Sequence, residues 1–346
     1  MKALVKETRG EVDLVLKDIP KPACPDNGVL LKVRTVSICG SDLHYFTDAE
    51  PMPVPQIMGH EFCGDIAEVG KDVKDWKVGD FVLSRVPIVP CGECEDCKSG
   101  HPEACKHLKA AGLTGQGAYA EYIVSYPDLL YPVPANVSDN MACCCEPATV
   151  ALHAVKRFNP QPDWTVCVVG VGIIGLLTIQ FLKIKGVKDI IAVGMDSDEG
   201  ARLPLAAKYG ANKIINAQNR SSAEQVLEYT NGRGVDLAID CVGFASAINE
   251  CFNMLAHDGI LGATGVPGPG DPVTVDWNKF VWGQQSVIST FSSVPEDWDD
   301  VIAYMKSGEL QFDDAITHVL KLEEWATVFK DRHNPSYVKA VFRPND

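Results

Sequence analysis

Two patterns of apolar and polar positions divide the chain. Between Val29 and Leu83, apolar and polar residues tend to alternate over short runs: Val29-Leu30-Leu31-Lys32-Val33-Arg34, Ile66-Ala67-Glu68-Val69 and Phe81-Val82-Leu83. Gly and Pro clusters interrupt these runs, as they do between short strands of a barrel-like β unit with few helices. From about Met141 the pattern changes. Apolar runs suited to buried strands are followed by segments of helical spacing: Val166 to Val169 then Ile173 to Lys185, Ile190 to Val193 then Glu199 to Tyr209, Leu237 to Cys241 then Ala245 to Leu255, and Ile260 to Thr264. Strand and helix in turn build a parallel sheet covered by helices. Ile316 to Leu320 and Lys339 to Phe342 read as strands again and are expected to rejoin the first unit. The expected fold is α/β, with a β-rich domain over 1–148 and 289–346 and a doubly wound parallel-sheet domain over 149–288.

Composition narrows the partners. A chain of 346 residues suits two domains of ~100–200 residues each. With 46% hydrophobic and 22% charged residues and scattered Gly and Pro, it reads as an ordinary folded protein. Lys and Arg number 31 against 46 Asp and Glu, a net charge of −15, and such a field repels a phosphate backbone. No nucleic-acid partner is expected. The opening MKALVKETRGEVDLVLKDIP carries charges every few residues, unlike a signal sequence. The longest apolar stretch, Val166 to Leu182, contains Thr178 and Gln180 and falls short of the ~20 residues that span a bilayer. A cytoplasmic location without membrane attachment is expected, and there the 13 cysteines serve as reduced thiols, metal ligands or small core residues.

Three constellations carry chemistry. Cys91, Cys94, Cys97 and Cys105 lie in a stretch of Gly, Pro and charged residues that cannot form a core of its own. Four thiolates at this spacing suit a closed tetrahedral zinc site; a redox pair or a four-thiolate iron centre are the alternatives. The second set is dispersed: Cys39 in Ile38-Cys39-Gly40-Ser41-Asp42-Leu43-His44, then Gly59-His60-Glu61, then Glu146 before Pro147. Singly, these are a core cysteine, a hydrogen-bonded histidine and a helix-starting glutamate. Together they supply one thiolate, one imidazole and one or two carboxylates, the mixed set that leaves a catalytic zinc an open position. Glycines beside Cys39 and His60 would allow close backbone approach. The third is Gly170-Val171-Gly172-Ile173-Ile174-Gly175 between an apolar strand and an apolar helix. There the glycines permit a tight turn, and backbone N–H groups at the helix start can receive the pyrophosphate of a dinucleotide, as in a Rossmann domain. Asp196 follows ~20 residues on, where a carboxylate binds a ribose diol. Cys143-Cys144-Cys145 is expected as buried packing, and Glu296 to Asp300 as a solvated helix start.

In order and spacing, Gly59-His60-Glu61-x-x-Gly64-x5-Gly70, the four-cysteine loop and the glycine turn resemble the zinc-dependent medium-chain dehydrogenase/reductases over essentially the whole chain. Cys39-Gly-Ser41-Asp-Leu-His44-Tyr45 and Glu146-Pro147-Ala-Thr-Val-Ala-Leu-His153-Ala are similar to the polyol branch, which includes sorbitol, galactitol-phosphate and threonine dehydrogenases. The resemblance implies a GroES-like catalytic domain joined to the Rossmann domain and two zinc ions per chain. It makes Cys39 and His60 catalytic zinc ligands, with Glu61 and Glu146 sharing the remaining protein position. It implies a proton relay through Ser41, the cofactor ribose and His44, and places Val266 and Phe291 in the segments that hold the nicotinamide carboxamide. The implied reaction is hydride transfer between a small secondary alcohol or its ketone and a nicotinamide cofactor. A zinc-independent reductase or a non-catalytic binding protein of the same fold are the rival readings.

Two departures stand out. Sorbitol dehydrogenases are expected to carry Arg-Tyr after the residue matching Phe291, where this chain has Ser292-Ser293, which argues against sorbitol itself. The second strand of the nucleotide fold ends at Gly194 with a longer loop, and Arg202 is the first cation after it. NAD is favoured over NADP, for which Arg202 would be the phosphate ligand. A homo-oligomer, dimer or tetramer, is expected.

Overall fold

The computed structural model describes residues 1–10, 14–49, 52–99, 105–268 and 270–346. The chain divides into two compact units: Met1–Glu146 with Ile316–His333 and Lys339–Asp346, and Pro147–Ala315 with Asn334–Val338.

The first unit is built on a seven-stranded sheet in which Glu61–Val69, Val29–Ser37, Lys339–Phe342 and Ile316–Leu320 are successive neighbours, and a smaller three-stranded sheet. Alternation is plain in Val29–Ser37, where Lys32 and Arg34 are exposed between buried Leu31, Val33 and Thr35. Antiparallel pairing opposes Ser37 to Glu61 and to Val341. One end of the sheet thus gathers the chain just after Ser37, just before Glu61 and at Lys339, which is how residues far apart in sequence become neighbours. Gly64 is required by this pairing, because a Cβ there would lie 2.3 Å from the Lys32 carbonyl oxygen. Tyr119, Phe46, Phe329 and Phe342 form an edge-to-face aromatic core, with ring centroids 5.3 Å apart for Phe46–Phe329 and 5.1 Å for Tyr119–Phe342.

The second unit contains six parallel strands in the order Lys213–Asn216, Asp189–Gly194, Thr165–Val169, Val235–Asp240, Leu255–Ala263 and Ser286–Ser289. The expected strands are present. The two edge strands are additional; each has four residues, and Ser286–Ser289 is largely exposed, so neither shows the continuous apolar run of a central strand. The order reverses between Thr165–Val169 and Val235–Asp240, and ligands of open α/β sheets bind at the carboxyl ends of strands at such a reversal.

Residues 289–315, expected with the first domain, pack in this unit. The reason is Asp297. Rather than facing solvent, it is fully buried, accepts from Lys156 Nζ at 2.7 Å and from the Val294 N–H at 3.0 Å, and lies 2.8 Å from His153 Nδ1. These contacts fix the start of helix Pro295–Ser307 against helix Cys145–Phe158. The helix expected from Glu199 begins at Arg202, after a 3-10 turn at Asp196–Asp198. Among the described residues no helix is long and apolar enough to cross a membrane.

Candidate active site

Cys39 caps the helix Gly40–Phe46, and its N–H donates to Asp42 Oδ2 at 2.9 Å. His60 and Glu61 enter on the facing strand, and Gly59 has φ +88° with the Tyr119 ring where a Cβ would stand, 2.5 Å from Cδ1. Around Gly40 there is no such crowding within 4 Å, so the close approach expected there is not observed. Donor atoms of Cys39, His60 and Glu61 lie within 4.8 Å of one another. His60 Nδ1 and Glu61 Oε1 are buried and lack a hydrogen-bond partner among the described residues. Unpartnered buried acceptors are costly; a dication in the donor set would satisfy Glu61 Oε1, while His60 Nδ1 faces the equally unpartnered Asp42 Oδ1 at 3.8 Å.

The charges agree with a cation at this place. Burial disfavours the imidazolium, but Cys39, Asp42 and Glu146 outweigh it and raise the His60 pKa well above its usual value. Glu146 is pushed up to about 7 by burial and by the neighbouring Glu61 charge. Burial also works against the Glu61 carboxylate, but the Lys339 ammonium, His60 and hydrogen bonds from Lys339 and Ser37 hold its pKa below the usual range. Lys339 Nζ lies 2.6 Å from Glu61 Oε2. Of the two glutamates, Glu61 belongs to the compact donor set; Glu146, the second residue of helix Cys145–Phe158, is not one of the atoms gathered within 4.8 Å.

Ser41 and His44 are three residues apart on helix Gly40–Phe46 and so share a face; Ser41 is half-buried and His44 exposed. Asp42 and Phe46 occupy its buried side. Asp42 also receives the Tyr119 hydroxyl at 2.7 Å and lies 3.8 Å from His60 Nδ1. Lys339 and Tyr119 escaped the sequence reading: each is buried in an apolar neighbourhood, and no local spacing links either to its carboxylate.

The loop thiols converge as well. Sγ–Sγ distances are 3.4 Å for Cys94–Cys97, 3.5 Å for Cys91–Cys105, 3.8 Å for Cys94–Cys105 and 3.9 Å for Cys91–Cys97. A tetrahedron with Zn–S bonds of ~2.3 Å has edges of ~3.8 Å, so the cradle fits zinc. Backbone N–H groups of Glu93 and Cys94 pull the Cys91 pKa down to about 6. Cys143, Cys144 and Cys145 are buried with Cys63, as expected of packing residues.

In the second unit, Gly170 has φ +96°, and a Cβ on Gly175 would lie 1.9 Å from the Gly170 carbonyl oxygen. Space beside Gly172 is open, and Gly172, Ile173 and Ile174 form the start of helix Ile173–Ile184. A cavity of about 600 Å³ adjoins this turn, lined among others by Gly170, Gly172, Gly194, Asp198, Arg202 and Val242. Its volume and its glycine-rich lining suit a dinucleotide cradled by backbone. Asp196 is not among its lining residues; it is exposed, and its carboxylate accepts from Asn216 at 2.7 Å. Arg202 lines the cavity but is tied to Asp198 and to the Tyr337 carbonyl oxygen. Val266 and Phe291 follow adjacent strands paired at Ala263 and Ser289, and both are exposed. Ser293, next to Ser292, anchors its loop through Thr149 and Trp298. Asp240, unanticipated, is fully buried and accepts from the N–H groups of Val242 and Gly243, shaping the turn beside the cavity.

Comparison with known proteins agrees with this geometry. Residues 25–135 match the alcohol dehydrogenase GroES-like domain, and residues 174–307 match the zinc-binding dehydrogenase domain. The chain is 30% identical to a sorbitol dehydrogenase of Halalkalibacterium halodurans, covering 100% of both. A zinc-binding dehydrogenase of Sinorhizobium meliloti 1021 bound to NADP superposes with a TM-score of 0.89 at 25% identity, over 99% of each chain. An alcohol dehydrogenase of Escherichia coli CFT073 complexed with NADH does so at 0.84 and 27% identity, again over 99% of each chain. The chain belongs to the zinc-binding medium-chain dehydrogenases, an oxidoreductase of the alcohol and polyol dehydrogenase class.

Proposed function

We propose that this chain interconverts a small secondary alcohol and its ketone, the alcohol being a polyol, a cyclitol, a sugar alcohol or its phosphate or amino derivative, with NAD as the hydride acceptor. The observation that carries this reading is the Cys39, His60 and Glu61 donor set, with the buried, unsatisfied Glu61 Oε1, on the unit whose helix Gly40–Phe46 presents Ser41 and His44. Zinc held by that set would lower the pKa of a substrate hydroxyl, and the nicotinamide would take up the hydride. Ser41 receives the hydroxyl proton, and His44, exposed one helical turn on, returns it to solvent. Glu146, with its raised pKa, neighbours the donor set without belonging to it and would share the remaining protein position on the metal with Glu61. Gly170, Gly172, Ile173, Ile174 and Gly175 cradle the pyrophosphate, while Val266 and Phe291 hold the carboxamide. Cys91, Cys94, Cys97 and Cys105 hold a second, structural zinc. Ser292 and Ser293 supply no cation, which supports a polyol other than sorbitol.

The enzyme works in the cytoplasm as a homo-oligomer. Among the described residues strand Ser286–Ser289 pairs on one side only, and Val287 on it and Trp277 and Trp282 shortly before it in the chain are 48%, 68% and 77% exposed. Unpaired edges bearing apolar side chains are surfaces that proteins cover, and a second copy would extend the sheet. The test of function is a panel of hexitols, their phosphates, cyclitols, amino-cyclitols, threonine and simple secondary alcohols, followed by NADH absorbance. At least one should be turned over; failure across the panel in zinc-loaded protein contradicts the proposal.

A further inference from the structure

Relatives of this fold have been solved with either dinucleotide, so the choice between NAD and NADP is made by local residues. In parallel nucleotide-binding sheets a carboxylate near the end of the second strand receives the hydroxyls of the adenosine ribose. Here that strand, Asp189–Gly194, ends on a residue without a side chain. The place is nevertheless filled: a Cβ built on Gly194 would stand 2.9 Å from Asp198 Oδ2. The chain continues through the turn Asp196–Asp198 and folds back, so that Asp198 brings a carboxylate to the strand end from four residues further on. Two donors hold it there, the Met195 N–H to Oδ2 at 2.8 Å and Arg202 Nη1 to Oδ1 at 2.8 Å. Asp198 is 7% exposed and lines the 600 Å³ cavity together with Gly170 and Gly194.

The adjoining groups support the same reading. Asp196 points to Asn216 and lies outside the cavity lining. Arg202, the first cation after the strand, has one edge on Asp198 and its Nε on the Tyr337 carbonyl oxygen at 3.1 Å. A 2′-phosphate entering here would meet the Asp198 charge, and the guanidinium that could offset it is already engaged.

We propose that Asp198, paired with Arg202, sets the coenzyme choice: its carboxylate receives the ribose hydroxyls of NAD, excludes a 2′-phosphate and withholds Arg202 from it. This rests on the dinucleotide reading above and replaces Asp196 as the selective residue. The test is equilibrium binding of NADH and NADPH, by nucleotide fluorescence and calorimetry, to the zinc-loaded full chain. Wild type should bind NADH at least ~10-fold tighter, the worth of one charge-assisted hydrogen bond. Asp198→Asn keeps an acceptor for the Met195 N–H but removes the charge and unpairs Arg202, so the ratio should move toward NADPH by ~10-fold or more. Adding Arg202→Ala should abolish the gain for NADPH. A wild type that prefers NADPH overturns the assignment without any variant. So does an unchanged ratio in folded Asp198→Asn, or a larger shift in Asp196→Asn. Binding of neither dinucleotide would overturn the functional reading as well, whereas tight binding of both with a ratio indifferent to residue 198 would overturn this assignment alone.

Discussion

Replacing Lys339 with methionine probes the buried ion pair behind the proposed metal donors. Lys339 is 2% and Glu61 1% exposed, and Lys339 Nζ donates to Glu61 Oε2 at 2.6 Å and to the Ile38 carbonyl oxygen at 2.8 Å. Methionine keeps most of the volume but leaves the Glu61 carboxylate and the Ile38 carbonyl without their donor. Removing one partner of a buried pair costs ~3–5 kcal/mol; the lower end is expected, because Ser37 and His60 still face the carboxylate. At ~2–4 °C per kcal/mol for a unit of this size, the melting midpoint should fall by roughly 6–12 °C. Despite burial, the pair holds the folded-state pKa of Glu61 below its usual value. Its contribution is therefore full above the unfolded pKa of ~4.3 and is lost as pH falls through the lower folded value. The penalty of Lys339→Met, read by calorimetry on metal-free protein, should be largest near neutrality and shrink in acid. In metal-free protein, where Glu61 holds no ion, Lys339→Met combined with Glu61→Gln leaves no uncompensated carboxylate and should recover at least ~1 kcal/mol. A single variant within ~1 kcal/mol of wild type at pH 7, or a double variant no more stable than the single, would show that the buried pair does not carry this energy.

Other outcomes follow from the same geometry. Ser41→Ala should lower the maximal rate by ~10²–10⁴ while zinc content and coenzyme binding persist; His44→Ala should be milder and recover at higher pH or with added buffer base, and normal turnover by Ser41→Ala would exclude the relay. Cys97→Ser removes one of four converging thiols, so the zinc count should fall by one and the 91–105 loop should become sensitive to protease, since such ligation contributes on the order of 10 kcal/mol to local folding. Burial disfavours the Asp297 charge, but Lys156 and the Val294 N–H outweigh it and lower the pKa. Asp297→Ala should thus cost ~2–4 kcal/mol at neutral pH, measured by urea unfolding, and less as pH falls below ~3.9.

What the sequence shows and what it hides differ by distance along the chain. The four loop cysteines and the glycine turn are local, so spacing alone marks them as candidate sites. The central strands of the second unit are legible because both faces are buried; Lys213–Asn216 and Ser286–Ser289 are not, because an edge strand needs no continuous apolar run. Lys339 and Glu61 are 278 residues apart, and only the sheet register makes them partners. Asp297 looks solvated because its neighbours Glu296, Asp299 and Asp300 are exposed, while Lys156 lies on another helix. Asp196 has the expected spacing from the glycine turn, but the fold-back after Gly194 brings Asp198 to the cavity instead.

Two zinc sites of different character should serve one dehydrogenase. Zinc analysis of freshly purified protein, repeated after brief chelation alongside NADH formation, tests it most directly. Two zinc ions per chain are predicted, with the ion at Cys39, His60 and Glu61 lost first and activity lost with it while the fold persists. One metal or none in active protein, or full activity after loss of an ion from that site, would rule out a catalytic zinc at Cys39, His60 and Glu61.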